Sequence, residues 1–185
     1  QDRALAEVGG KGLFVKELEV AMQEGRADIA VHSMKDVPSE LPPGFCIAAA
    51  LPRANPRDAF ISLRFAHFAD LHHGARVGTS SPRRQAQLRS MRPDLILELL
   101  RGNVDTRLGR VAGLVEGAPG DLDAVVLAAA GLARLGRLAM VSEFLDPSVM
   151  LPAPGQGALA VECRTADAAE GPLSRALAVY DNNAS

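Results

Sequence analysis

The chain lacks tryptophan and is poor in aromatic side chains of every kind. Its 185 residues include no Trp, one Tyr and six Phe, so that aromatic residues make up 4% of the sequence. Modules that bind single-stranded nucleic acid stack bases on aromatic side chains, and this composition disfavours them. A net charge of −2 also argues against a general DNA-binding protein. We therefore expect no nucleic-acid partner.

Cysteine is scarce as well. Cys46 and Cys163 are too few for a disulfide framework or a zinc site, and the four histidines form no recognisable metal motif. No apolar run is long enough to span a bilayer, and no signal peptide opens the chain. These absences predict a cytoplasmic, monomeric protein without a metal and without membrane contact. The start at Gln1, without Met, indicates a piece of a longer protein.

Arginine, in contrast, is concentrated between residues 76 and 110. This stretch carries eight Arg and no Lys against three acidic residues, which gives a local charge of +5. Guanidinium groups favour planar, bidentate contacts with carboxylate or phosphate, so the stretch indicates an anion site. For Arg89, Arg92 and Arg110 a solvated helix face is the simpler interpretation.

Two of these arginines lie at a predicted helix start that follows a short predicted strand. Ser80 and Ser81 can cap a helix over 82–91, and the proline that follows them suits its first turn. Arg83 and Arg84 then lie at the N-terminus, where free N–H groups and the helix dipole favour an anion.

A second pair of arginines repeats this arrangement one strand later. Asn103 can cap a predicted helix over 105–116, which puts Arg101 on the preceding loop and Arg107 in the first turn. Both pairs of arginines thus follow the carboxyl end of a predicted strand, and ligands of open α/β sheets bind at that edge of the sheet. We therefore expect the two pairs to form one anion site.

The order of elements predicts two α/β lobes. Predicted strands lie at 27–31, 45–51, 59–62, 75–78, 95–100, 123–128 and 157–162; predicted helices lie at 13–24, 82–91, 105–116, 131–138 and 165–180. Proline-flanked segments at 52–56 and 146–154 indicate two crossings. We expect domain 1 to comprise residues 1–53 plus 153–185 and domain 2 to comprise residues 54–152, with a ligand cleft between them.

A further candidate site follows the strand predicted at 27–31. Lys35 and Asp36 come directly after it, in the segment Ser33-Met-Lys-Asp36. An ordinary exposed turn explains this pattern as well as a functional site does. In the functional alternative, Asp36 is the single carboxylate of a cationic cleft, where Arg favours its charged form and where it holds N–H donors or a cationic intermediate.

Six segments of the chain resemble, in order, the motifs of the porphobilinogen deaminase family. They are Val8-Gly-Gly-Lys-Gly-Leu-Phe14, His32-Ser-Met-Lys-Asp-Val-Pro38, Asn55-Pro-Arg-Asp-Ala-Phe60, Gly78-Thr-Ser-Ser-Pro-Arg-Arg84, Leu100-Arg-Gly-Asn-Val-Asp-Thr-Arg-Leu108 and Leu151-Pro-Ala-Pro-Gly-Gln-Gly-Ala158. The resemblance covers nearly the whole chain. It implies an α/β fold with two lobes of periplasmic-binding-protein type, in which mixed sheets flanked by helices surround a central cleft.

The resemblance also implies a transferase of haem and tetrapyrrole biosynthesis. Such an enzyme, a hydroxymethylbilane synthase, joins four porphobilinogen units head to tail, with release of ammonia, on a covalent dipyrromethane primer. Asp36 matches the catalytic carboxylate. The matching cofactor-binding residues are Lys35, Asp36, Ser81, Arg83, Arg84 and Arg107. The matching substrate-binding residues are Lys11, Phe14, Arg101 and Arg107, of which Lys11 and Phe14 belong to the end of a mobile loop over the cleft.

The chain departs from the family pattern in three respects. The family's N-terminal segment and its third domain, whose cysteine carries the primer, have no counterpart here, and Glu7 replaces a basic loop residue found in some members. We therefore expect the chain as given to be an inactive fragment. The alternative is a non-catalytic protein of the same fold that binds carboxylates or other anions. Asp36 discriminates, because a pure anion receptor gains nothing from a carboxylate among arginines.

Overall fold

The computed structural model describes residues 10–180, with side chains from residue 15 onward. They form two units, one made of the residues up to Ala54 together with those from Ala158, the other of Asn55–Gly157. The sequence-predicted limits lie at 53/54, next to the first observed limit, and at 152/153, five residues before the second. No helix in the described range is long and apolar enough to cross a membrane.

Fourteen helices and strands lie within the described part of the two units. The strands are β1 (Ile29–Ser33), β2 (Phe45–Ala50), β3 (Asp58–Ile61), β4 (Arg76–Gly78), β5 (Ile96–Glu98), β6 (Ala124–Ala128), β7 (Glu143–Phe144) and β8 (Leu159–Arg164). The helices are α1 (Gly10–Gln23), α2 (Pro82–Met91), α3 (Val104–Leu108), α4 (Ala129–Arg134), α5 (Thr165–Ala169) and α6 (Pro172–Ala178). Three single 3₁₀ turns lie at Met34–Asp36, Phe68–Asp70 and Leu138–Met140.

The first unit is built on a three-stranded antiparallel sheet. β8 lies in the centre, between β1 and β2. Met22 of α1 packs with Ala30 and Phe45 in a small buried cluster below this sheet. The buried side chains thus tie α1 to the strand that leads into the Met34–Asp36 turn.

Two helical predictions for this unit are wrong in extent. α1 begins at Gly10, before the start predicted at residue 13. The single closing helix expected over 165–180 is divided into α5 and α6. Gly171 at φ 120° and Pro172, which has no N–H to donate, separate the two.

The second unit is built on a five-stranded mixed sheet in the order β5-β4-β6-β3-β7. β4 pairs in parallel with β5 and β6, whereas β3 pairs antiparallel with β6 and β7. Both faces of the sheet are buried: Val77 and Phe60 belong to one apolar cluster, and Ile61 and Val125 belong to the other. Nearly continuous apolar strands follow from this double burial. The α/β class is confirmed, and of the two described sheets the one in the second unit is mixed.

The parallel strands bring the carboxyl ends of β4 and β5 to one edge of the sheet. β4 closes on Gly78, where a Cβ would lie 2.6 Å from Leu122 and 2.8 Å from Leu100, so any larger residue would displace these two leucine side chains. The chain then turns through Thr79–Ser81 into α2, and β5 leads through residues 99–103 into α3. Both predicted helix starts therefore lie above this edge.

The second of these helices is much shorter than the predicted span of 105–116. α3 ends at Leu108, and the chain then turns back on itself. Ala112 N–H donates to the Leu122 carbonyl (2.8 Å), and Val111 pairs with Leu122 in an isolated bridge. These long-range bonds replace the helical hydrogen bonds that the sequence pattern suggests.

Candidate ligand-binding site

Helix α2 begins as its capping residues predict. Ser81 is the N-cap, its Oγ lies 3.4 Å from the Arg84 N–H as a long acceptor contact, and Pro82 occupies the first turn. Ser80 instead bonds across to the next loop, since its Oγ accepts from Leu100 N–H (2.9 Å). The start of α2 is thereby connected to the end of β5.

Arg83 and Arg84 do not extend freely into solvent. The Arg84 side chain is buried, with Nη2 donating to Asp58 Oδ1 (2.7 Å) and Nη1 donating to the Val126 carbonyl (3.1 Å). Arg83 Nη2 donates to Asp58 Oδ2 (2.7 Å), and its Nη1 donates to the Leu151 carbonyl. One carboxylate therefore holds both guanidinium groups.

Asp58 is a buried carboxylate that sequence reasoning missed. It is fully inaccessible at the start of β3, and its Oδ1 also accepts from Gln156 Nε2 (2.8 Å). Burial on its own raises the pKa of Asp58, but the hydrogen bond and charge of Arg84, with the Arg83 and Gln156 hydrogen bonds, hold it below 3.8. A charged residue beside the apolar run of β3 was the available signal, because such a residue needs partners.

Two buried donors in this cluster remain to be satisfied. Within residues 15–180, neither Arg83 Nε nor Arg84 Nε has a hydrogen-bond acceptor. A buried N–H without an acceptor is costly, and in a native protein it calls for an explanation. A ligand oxygen at this position would supply the missing acceptors, so these atoms fit a carboxylate-bearing group.

Arg107 lies close enough to Arg84 for the two charges to interact. Its Nε donates to the Gly102 carbonyl (2.9 Å), and Gly102 adopts a φ of 88°. Burial, followed by the charge of Arg84, lowers the pKa of Arg107, so the two cations influence each other. Arg101 is exposed on the loop before α3 and is not part of the hydrogen-bonded cluster around Asp58.

The first unit carries the other predicted site residues. Lys35 and Asp36 are half-buried in the 3₁₀ turn that follows β1. Asp36 also lines a cavity of about 620 Å³, together with Lys16, Glu19 and Glu40 among others. Of the charged residues that line this cavity beside Asp36, two are carboxylates and one is a lysine.

Two further predicted residues cannot be placed by their side chains. Lys11 and Phe14 lie in the first turns of α1, and their side chains are outside the described residues. Among the residues that are described, no cluster of three His, Cys, Asp or Glu side chains could hold a metal ion.

Comparison with known proteins shows which family the chain resembles. Residues 1–170 match the family model "Porphobilinogen deaminase, dipyromethane cofactor binding domain". The porphobilinogen deaminase of Cutibacterium acnes is 57% identical over 183 residues, which cover 97% of this chain and 55% of that protein. The enzyme of Albidiferax ferrireducens is 58% identical over 164 residues, which cover 89% of this chain and 50% of that protein. The chain spans about half the length of these relatives.

Solved structures support the predicted fold. A periplasmic substrate-binding protein of an ABC transporter from Coxiella burnetii matches with a TM-score of 0.56 at 14% identity, over 87% of this chain and 74% of that one. A nutrient-binding protein from Burkholderia cenocepacia bound to methionine matches with a TM-score of 0.53 at 16% identity, over 86% and 73%. The fold is of periplasmic-binding-protein type, and the sequence matches show that the chain belongs to the porphobilinogen deaminase family.

Proposed function

We propose that this chain supplies the primer- and substrate-binding units of a porphobilinogen deaminase, also called hydroxymethylbilane synthase. The enzyme would condense four porphobilinogen units head to tail into the linear tetrapyrrole hydroxymethylbilane, with release of ammonia. One observation carries the proposal: Arg83 and Arg84 are fixed by Asp58 while the buried Nε–H of each has no acceptor among the described residues.

The charge of the ligand fits these donors. Each pyrrole unit carries an acetate and a propionate, so a dipyrromethane presents four carboxylates and each added unit brings two more. Arg83, Arg84 and Arg107 form a cationic cluster of which Asp58 neutralises only one charge. Charge-assisted hydrogen bonds from guanidinium to carboxylate are among the stronger polar contacts in proteins. We assign primer binding to these arginines together with Ser81 and Lys35, and substrate binding to Lys11, Phe14, Arg101 and Arg107.

Asp36 is proposed as the catalytic carboxylate. When bound, the dipyrromethane supplies the pyrrole α-carbon that forms the new bond. Asp36 would accept hydrogen bonds from pyrrole N–H groups and assist proton transfer as ammonia leaves the substrate. Its negative charge would also stabilise the positive charge that develops on the substrate methylene. The short turn after β1 supports this role, because it fixes the backbone on which the carboxylate is mounted.

Primer loading of the full-length protein tests the proposal. We expect the intact mass of the wild type to exceed the sequence mass by one dipyrromethane. Arg83→Gln and Arg84→Gln should lose most of this adduct, because each removes a buried donor and a cation. Arg89→Gln is the matched control, since Arg89 is exposed on the same helix and should load like the wild type.

The same measurement separates the proposal from its alternative. A wild-type protein that binds carboxylates but never carries two pyrroles would instead support a non-catalytic anion-binding protein. Full loading of the Arg84→Gln protein would refute the assignment of this arginine.

The scarcity of cysteine accords with the further proposal that the enzyme acts in a reducing cytoplasm.

A further inference from the structure

Three sequence motifs converge on a single buried carboxylate in the second unit. Asp58 comes from Asn55-Pro-Arg-Asp-Ala-Phe60, the two arginines that it binds come from the segment that begins α2, and Gln156 comes from the segment before β8. Residue separations of 25, 26 and 98 join these partners to Asp58. The proposed binding and catalytic residues do not include Asp58.

We propose that Asp58 is a positioning residue for carboxylate binding. It holds Arg83 and Arg84 by their Nη2 groups, while the buried Nε–H of each guanidinium has no acceptor within residues 15–180 and a ligand carboxylate would supply one. The inference rests on the proposed function, which assigns carboxylate binding to these two arginines.

The hydrogen bonds explain how this positioning works. Each guanidinium is fixed at two points, with Nη2 on Asp58 and Nη1 on a backbone carbonyl, of Leu151 for Arg83 and of Val126 for Arg84. Because a guanidinium is planar and rigid, two fixed nitrogens determine the direction of its third N–H edge. The donors are therefore oriented before the ligand arrives, and the cost of ordering two long side chains is not incurred on binding.

Asp58 is itself held in place. Gln156 Nε2 donates both to Asp58 Oδ1 (2.8 Å) and to the Pro56 carbonyl (2.6 Å). Asp58 also lies in register with Ala128 in the antiparallel pair of β3 and β6, which fixes its backbone. A carboxylate with both oxygens bonded and no solvent exposure cannot move without breaking several contacts. This rigidity is what a positioning role requires.

The sign of the effect on affinity separates this role from two others. Loss of the Asp58 charge raises the charge of the arginine pair, so a purely electrostatic role predicts that a carboxylate binds more tightly. A purely structural role predicts unchanged affinity in the molecules that remain folded. Positioning predicts weaker binding in spite of the added positive charge, because the Nε–H groups are no longer oriented.

The test follows the arginine Nε–H signals by NMR in the full-length, primer-free protein labelled with ¹⁵N-arginine, during titration with sodium propionate. Arg83→Lys and Arg84→Lys assign the two signals. The variants are Asp58→Asn, which keeps the shape of the side chain, and Asp58→Glu, which keeps its charge but moves the carboxylate by one methylene. Asp94→Asn is the control: it removes the partner of another arginine of this unit, Arg92 (2.7 Å), away from the cluster.

In the wild type both Nε–H signals should shift and saturate while the Nη2 groups stay bonded to Asp58. In the Asp58 variants propionate affinity should fall roughly 10- to 100-fold, the scale of one lost charge-assisted hydrogen bond. Asp94→Asn should stay within about twofold of the wild type. Unchanged or tighter binding in a folded Asp58 variant would overturn the inference while leaving the proposed function intact.

The wild type alone decides the question if neither Asp58 variant folds. Propionate that shifts the Nε–H signals and leaves the Nη2 signals in place supports positioning. Propionate that shifts the Nη2 signals displaces Asp58 from the arginines, and this result would overturn the inference. If the Nε–H signals of the wild type do not shift at saturating propionate, the result would count against the proposed carboxylate site itself.

Discussion

At the scale of single residues, two arginines of the second unit are held by a buried carboxylate, Asp58, that the sequence pattern did not reveal. Arg83 and Arg84 were identified as site residues from their position at a helix start, and the structure places them there. Their pairing with Asp58 could not be predicted, because partners 25 or more residues apart leave no periodic signal. Charge counting alone suggested two free cations, whereas one carboxylate already neutralises one of them.

The ionisation of Asp58 gives a testable dependence of stability on pH. Because the pKa in the folded protein lies below 3.8, the contribution of Asp58 is fully present above its unfolded pKa of about 3.9 and is lost as pH falls through the lower, folded value. At about pH 7, Asp58→Asn should lower the free energy of unfolding by about 3–5 kcal/mol, the usual cost of breaking a buried ion pair.

Urea denaturation at several pH values measures this difference. The two proteins should converge in acid, since a protonated aspartic acid resembles asparagine. A difference that stays constant from neutral pH to below pH 3 would show that the Asp58 charge does not stabilise the fold.

At the scale of elements, the local signals were reliable where capping determines the structure and failed where distant contacts determine it. Helix α2 spans the predicted residues 82–91 because serine and proline fix its start. Asn103 caps α3 as predicted, with its Oδ1 accepting from Thr106 N–H (2.9 Å). The end of α3 is set instead by hydrogen bonds to Leu122 and by the glycines that allow the chain to turn, which a helical periodicity cannot reveal.

The two helix starts lead to a prediction about the division of labour. Arg83 and Arg84 at the start of α2 should affect primer assembly, whereas Arg101 and Arg107 near the start of α3 should affect elongation. We expect Arg101→Gln in the full-length protein to load the primer normally but to accumulate enzyme-bound intermediates shorter than the final chain. Arg107 is assigned to both primer and substrate, so Arg107→Gln should impair elongation more strongly than primer loading. Native mass spectra after a short incubation with porphobilinogen distinguish these states.

The matched control for this series is Arg110→Gln, which removes a cation beyond α3 that is paired with Asp121. It should behave like the wild type. If Arg101→Gln lost the primer, or if Arg84→Gln loaded it and stalled later, the division by helix start would be wrong.

At the scale of the whole molecule, the order of six motifs predicted the family and the α/β fold. The contacts of individual side chains became visible only in the structure. One consequence concerns the cysteines. Cys163 is buried in the central strand β8, opposite Cys46 of β2. Burial, together with the charge and hydrogen bonding of Cys46, raises the pKa of Cys163 to about 11.

A thiol with so high a pKa is a poor nucleophile at neutral pH, because the thiolate is the reactive form. We therefore expect that Cys163 does not carry the primer, and we expect the same of Cys46 because it lies within strand β2 and not in an exposed turn. Peptide mapping of the loaded full-length protein should place the adduct elsewhere, and the Cys46→Ser/Cys163→Ser double variant should load fully. A two-pyrrole adduct mapped to either cysteine would contradict this expectation.

We have proposed that the full-length protein polymerises porphobilinogen and that Asp36 is its catalytic carboxylate. The most direct measurement is the rate of hydroxymethylbilane formation by the wild type, Asp36→Ala and the control Glu24→Ala, whose exposed carboxylate pairs only locally with Arg26. Asp36→Ala should fold normally, as judged by circular dichroism, and should lose on the order of 10²–10³ in rate or more. Glu24→Ala should match the wild type. A folded Asp36→Ala enzyme that forms the tetrapyrrole at a near-normal rate would refute the proposed catalytic role of Asp36.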